Sequence, residues 1–237
     1  MSTQFKHYAK ELLNIALPII MGNLGFILIG AGDVLIAGHH STDTLAAISI
    51  ATAITNCIQT FGIGLISSVS PLLSNFRGEK KSAKKYFYPT LRFAMLLSVI
   101  VMFAVLAFIP VIDYLKFDPK LVPMIKQYMF VTAFATFGAY LHAALKEFLQ
   151  AFEVVVFPNL VTAIAVFLNI AVNVLLVFGW GIIPSLGALG LAIASFVVRY
   201  FMGFALLIYC FRMMNFNDYK DFEYYKNLIK IGIPISC

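Results

Sequence analysis

Long apolar runs, separated by short polar or turn-forming stretches, dominate the chain. A helix needs about 20 mostly apolar residues to cross the hydrocarbon core of a bilayer. Stretches of that length with few charges predict six helices, over residues 12–38, 44–75, 88–112, 121–149, 158–179 and 186–211. Most exceed the minimum, which allows tilt or protrusion without fixing an angle. The first run is too long for the apolar core of a cleaved signal peptide, so it reads as a retained first helix.

Composition sharpens this picture. Of 237 residues 61% are hydrophobic and 12% charged, with a mean hydropathy of +0.91; an average soluble domain has about 45–50% apolar and 25% charged residues. A soluble globular protein and a disordered chain are both excluded. Three cysteines, Cys57, Cys210 and Cys237, give neither a disulfide framework nor a metal-binding CxxC. The net charge of +6 raises nucleic acid as a partner, but most of the 17 Lys and Arg fall between or at the ends of apolar runs and not on one basic face. They report membrane topology instead. Lys6, Lys10, Arg77, Lys80, Lys81, Lys84, Lys85, Lys146, Arg212, Lys220, Lys226 and Lys230 lie on one side, against Lys116, Lys120 and Lys126 on the other. The positive side is cytoplasmic, and six crossings put both ends of the chain there.

The chain also repeats itself. KELLNIALPIIM at 10–21 aligns with KNLIKIGIPISC at 226–237, matching Lys10, Leu12, Ile15, Pro18 and Ile19 to Lys226, Leu228, Ile231, Pro234 and Ile235. An even number of crossings separates the copies, so a second unit would start in the same orientation as the first. That is the plan of a transporter built from two parallel repeats with its pathway between them. Residues 1–225 then form one six-helix lobe, and 226–237 open the first helix of a second.

Ionisable residues inside the membrane cost about 2.5–3.5 kcal/mol on insertion scales and are functional candidates. Asp33 lies well inside the first run, between Gly30, Gly32 and apolar neighbours. A carboxyl there can load and release a proton, or hold Na+, as its surroundings change. Asn169 and Asn173 on the fifth helix are spaced i, i+4 and share a face, where amides can complete a polar pocket around Asp33 or simply tie helices together. Ser195 on the sixth helix joins that pocket or permits close packing. Pro18 bends the first helix, as a mobile joint or a static kink. Arg199, near the middle of the sixth helix, is a substrate or structural charge. Glu147 and Arg92 read as side chains snorkelling to the interface, with Lys146 beside Glu147 at the cytoplasmic end of the fourth helix. His39 and His40 are adjacent and do not converge as i, i+4 ligands do, so no metal site is expected; His142 reads as a packed or amide-bonded residue. The 23 Phe and nine Met suit a cavity that repacks around varied ligands, although most must face lipid or core.

Taken in order, ALPIIMGNLGFILIGAGDVLIAGHHSTDTLAA, SPLLSNFRGEKKSAKKY and PNLVTAIAVFLNIAVNVLLVFGWGIIPSLGALGLAIASFVVRY resemble the first six helices of the MATE (multidrug and toxic-compound extrusion) transporters. The resemblance covers nearly the whole chain. It implies an all-α membrane protein, a six-helix bundle that is one lobe of a twelve-helix, two-repeat inner-membrane exporter. Such an exporter would exchange H+ or Na+ for cationic or amphipathic drug-like compounds by alternating access, with no other cofactor. Its partners are membrane lipid and a C-terminal lobe or a second copy, not nucleic acid. Asp33 matches the family's coupling aspartate, with Asn169 and Asn173 its polar partners, Pro18 the bending proline and Ser195 the sixth-helix hydroxyl. Many relatives carry an aspartate in place of Asn173, which here leaves one carboxylate and favours a proton over a stoichiometric metal site. Three alternatives stand beside it. A lipid-linked oligosaccharide flippase of the same superfamily would line its cavity with more cations. Gly30-Ala31-Gly32-Asp33 spells the GxGD of intramembrane aspartyl proteases, which need a second aspartate that no run supplies. The last is an inactive lobe fragment.

Overall fold

The computed structural model describes residues 2–80, 82–181, 184–213 and 222–236; Lys81, Lys220 and Cys237 lie outside them. Among these residues the chain forms helices and turns with no β-strand. The α-helices are α1 Ser2–His40, α2 Thr42–Ser67, α3 Val69–Gly78, α4 Phe87–Phe108, α5 Val122–Ala151, α6 Val156–Phe178, α7 Ala188–Met213 and α8 Phe222–Ser236. Six segments are long and apolar enough to span a membrane: Ala16–His40, Thr42–Gly78, Lys84–Tyr114, Val122–Ala151, Val156–Phe178 and Ala188–Arg212. The all-α membrane fold expected from the apolar runs is present.

Two runs differ from expectation in detail. The run 44–75 is not one helix but two, α2 and α3, broken at Ser68. Pro71 has no N–H to continue the ladder back to Ser67. The Ser68 hydroxyl donates to Leu65 O at 2.7 Å and to Leu228 O at 3.0 Å, so the break is tied to α8. The run 88–112 ends its α-helix at Phe108 and tightens into a 3-10 segment, Ile109–Tyr114, with Pro110 at its start. α2 begins where the sequence changes from the His pair to Ser41, whose extended backbone (φ −166°) caps the helix as its side chain accepts from the Thr44 amide at 3.0 Å.

Small residues set the helix contacts. α1 and α6 run parallel, because the same residue offset separates Gly22 from Asn159, Gly25 from Thr162 and Gly32 from Asn169, each pair in contact or nearly so. α5 is the centre of the bundle and meets α2, α4 and α7. At its crossing with α7 a Cβ on Gly138 would lie 2.7 Å from the Arg199 carbonyl carbon and the Tyr200 nitrogen. Tyr140, Phe148, Met129 and Leu145 of α5 are fully buried. Leu12, Leu96, Phe103 and Phe167 point outward, which costs nothing in hydrocarbon.

The first copy of the internal repeat and the described residues of the second, 226–236, are helical, with Pro18 inside α1 and Pro234 inside α8. α8 starts at Phe222, slightly before residue 226, and docks on α2, where a Cβ on Gly232 would meet Leu65 Cα at 2.8 Å. The Tyr224 ring stacks on Tyr86 at 4.5 Å, and its hydroxyl hydrogen-bonds the Thr90 hydroxyl at 2.6 Å.

Overpacking a backbone-to-backbone contact costs about 1–3 kcal/mol. Gly138→Val is therefore expected to lower the thermal midpoint of the detergent-solubilised protein. Gly30→Ala, where a Cβ meets nothing within 4 Å, is expected to leave it unchanged or raise it slightly. Equal midpoints for the two variants would show that the α5–α7 contact does not set stability.

Candidate functional site

The parallel register of α1 and α6 brings Asp33 level with the two asparagines. Asn173 Nδ2 donates to Asp33 Oδ1 at 2.6 Å and to Asn169 Oδ1 at 3.1 Å. From α7, Ser195 Oγ donates to Asp33 Oδ2 at a longer 3.4 Å. Both asparagines are wholly buried, whereas Asp33 is partly exposed, because the carboxylate opens into a cavity of about 730 Å3. Four residues named from the sequence thus share one pocket.

The pocket is incompletely satisfied. Asn173 Oδ1 and Asn169 Nδ2 are buried with no hydrogen-bond partner among the described residues. An unused amide oxygen beside a carboxylate is an acceptor with nothing to accept. With Asp33, Asn169 Oδ1 and Ser195 Oγ it makes an all-oxygen set, which suits a proton or a hard cation and not a soft metal.

Arg199 lines the same cavity; its Nη1 is buried without a hydrogen bond, and its charge acts on Asp33. Pro18 lies inside α1, which runs through it as a single helix. The histidines separate: His39 Nδ1 bonds Leu35 O at 2.8 Å, while His40 bonds the hydroxyls of Thr44 at 2.9 Å and Ser185 at 3.2 Å. Gly187, at φ +51°, lets the chain pass against the His40 ring. His142 packs on Phe26 with ring centroids 5.4 Å apart.

Two features escaped the sequence. Tyr128 of α5 is buried beside Asp33 and Ser195, with its hydroxyl accepting from Thr52 at 3.4 Å. Its signal was present as the i, i+4 series Tyr128, Thr132, Thr136 on one helix face. Glu147, read from the sequence as snorkelling to the interface, lines the cavity at the end away from Asp33, together with Lys146, His142 and Asn23.

A six-span α-helical bundle that keeps a carboxylate and amides inside, open to a cavity, is an integral membrane protein with an internal polar site. A model of the MatE family matches residues 18–175, and the chain belongs to that family. It is 25% identical over 245 residues to the multidrug resistance protein NorM of Photobacterium profundum, covering 98% of this chain and 53% of that protein. It is 27% identical over 248 residues to the probable multidrug resistance protein NorM of Pasteurella multocida, covering 98% and 52%. Among solved structures, the eukaryotic MATE transporter AtDTX14 matches with a TM-score of 0.85 at 20% identity, covering 98% of this chain and 53% of that one. A MOP superfamily transporter from Pyrococcus furiosus matches with a TM-score of 0.84 at 16% identity, covering 94% and 51%. These structures share the fold. The chain spans about half the length of the curated relatives it matches.

The pocket's chemistry is tested by adding the second carboxylate. Two carboxylates at hydrogen-bonding distance cannot both stay ionised without a proton or cation between them. Asn173→Asp is expected to give a larger Na+-dependent rise in thermal midpoint than the unaltered protein. Identical Na+ responses would show that the pocket does not receive Na+.

Proposed function

We propose that this chain is the ion-binding lobe of a multidrug efflux transporter in the inner membrane, with both of its ends cytoplasmic. In this reading residues 1–225 are one six-helix lobe and α8 opens a second, supplied by further chain or a second copy. The transporter exchanges H+ or Na+ for cationic or amphipathic compounds by alternating access. Asp33 carries the coupling cation, Asn169, Asn173 and Ser195 position it, and Pro18 gives α1 a second shape. The observation that carries this reading is the half-buried carboxylate beside an unused amide oxygen, in contact with a cavity. The names of the NorM relatives, multidrug resistance proteins, support the export of drugs.

Coupling demands that the two access states hold the cation with different affinity, since a ligand shifts an equilibrium only by its differential binding. Losing the Asp33 charge removes that difference. Asp33→Asn is expected to abolish exchange of an organic cation against an imposed H+ or Na+ gradient in proteoliposomes, with membrane insertion intact. Exchange at the unaltered rate would overturn the assignment.

A lipid-linked oligosaccharide flippase is the second reading, favoured by Lys146 and Arg199 on the cavity wall. Lys146 Nζ is already committed to Asn23 Oδ1 at 3.2 Å, which leaves Arg199 to meet a pyrophosphate. The two readings separate on whether the protein relieves a block in lipid-linked sugar export or lowers drug accumulation.

A further inference from the structure

The cavity that begins at Asp33 contains a second carboxylate. Glu147 lies on its wall, about one turn before the end of α5, and makes no hydrogen bond or ion pair with any described residue. Its neighbour Lys146 does not neutralise it by direct contact. The Lys146 ammonium is turned to α1 instead, donating to Asn23 Oδ1 at 3.2 Å and sitting 5.2 Å from the centre of the Phe26 ring. Phe26 in turn packs on His142, a residue buried with its Nε2 unpaired. The amide and the ring thus keep the Lys146 ammonium, which lines the same end of the cavity and acts on Glu147 only through space, from pairing directly with the carboxylate.

An unpaired carboxylate inside a membrane protein is costly, and it is kept where it lines a cavity and has a cation to receive. Phe26, Ile63 and Met202 give the same cavity apolar and aromatic wall, alongside the polar Asn23 and His142. That combination recognises an organic cation with a flat apolar body, through charge at one point and adaptable packing elsewhere.

Resting on the proposed export function, we infer that Glu147 receives the charged centre of a cationic substrate, at the opposite end of the cavity from the coupling cation on Asp33. Asn23 marks the Glu147 end and Asp33 the other, ten residues apart on α1, or about 15 Å at 1.5 Å per residue. Substrate and coupling cation therefore do not share one carboxylate. Each occupies its own end of one cavity, and each weakens the other through like-charge repulsion by about fivefold at an effective dielectric near 20. Glu147 is a specificity-determining residue on this assignment and takes no part in ion binding.

The test uses ethidium as the probe, titrated by fluorescence polarisation against the purified protein, the same preparations being assayed for gradient-driven exchange. Glu147→Gln is expected to weaken ethidium binding more than tenfold while the Na+- or proton-dependent rise in thermal midpoint persists. Glu147→Asp is expected to restore binding to within about threefold, which a merely structural role for the residue would not do. Asp33→Asn is expected to keep ethidium binding within about fivefold and to lose exchange. Absence of ethidium binding by the unaltered protein, or unchanged binding by Glu147→Gln, overturns the inference. So does loss of binding in Asp33→Asn alone, since Asp33 would then be the substrate's carboxylate. Undiminished exchange in Asp33→Asn would instead overturn the ion-coupling role on which the inference rests.

Discussion

The hydrogen bond from Asn173 to Asp33 is the interaction on which the polar interior turns. A carboxylate inside a membrane bundle has no bulk water to stabilise it, so its partners must come from neighbouring helices. Asn173 supplies a donor at 2.6 Å and uses the same amino group to hold Asn169. One amide nitrogen thereby fixes both the carboxylate and the next amide, and its own oxygen is left over. Charge-assisted hydrogen bonds of this kind are short and about twice as strong as neutral ones. The pocket is rigid where it grips Asp33 and unsatisfied where a cation would enter.

That bond depends on packing far from it. α1 reaches α6 closely because Gly22 and Gly25 present no side chain to Asn159 and Thr162. Both contacts lie about two to three turns before Asp33 on α1, and they set the parallel register that carries Asp33 to the level of Asn169 and Asn173. Without a hydrophobic driving force between helices in lipid, such close backbone approach and the dispersion it permits decide the association. Gly138 does the same for α5 and α7, and so places Ser195 and Arg199 of α7 on the cavity wall beside Tyr128 of α5. Stability and site geometry are the same set of contacts seen at different depths.

The spans were legible because hydropathy and length are one-dimensional properties, and so was Asp33, because a lone carboxylate in an apolar run has few bland explanations. Asn169 and Asn173 were legible through the helical repeat. What the sequence did not reveal is rotation about helix axes and what faces what. Glu147 and Lys146 are adjacent in sequence but about 100° apart around α5, so on the same cavity wall one is bonded to Asn23 while the other has no direct partner among the described residues; composition near a helix end reads the same either way. The break at Ser68 was hidden because the apolar run continues through it, and only the hydrogen bond from the Ser68 hydroxyl to α8 makes it visible. Tyr128 was overlooked because a tyrosine near a helix end usually marks an interface, whereas here it is buried against polar groups.

The dimensions of the cavity bound what electrostatics alone can accomplish. Two unit charges about 15 Å apart at an effective dielectric of about 20 repel by about 1 kcal/mol, at the low end of the 1–3 kcal/mol typical of coupling between sites. A hundredfold exchange preference needs about 2.7 kcal/mol, so direct repulsion between the ends supplies less than half. In the proposed exchange the remainder is conformational, a difference in how well two helix arrangements hold Asp33 among its amides. Small displacements suffice, because the bond to Asn173 is short and the one to Ser195 already long. A shift of α1 against α6 by a fraction of an ångström strengthens one at the expense of the other. The close glycine contacts set that register, which makes the register of two helices, and not the charge of any one residue alone, the quantity on which the geometry around Asp33 depends.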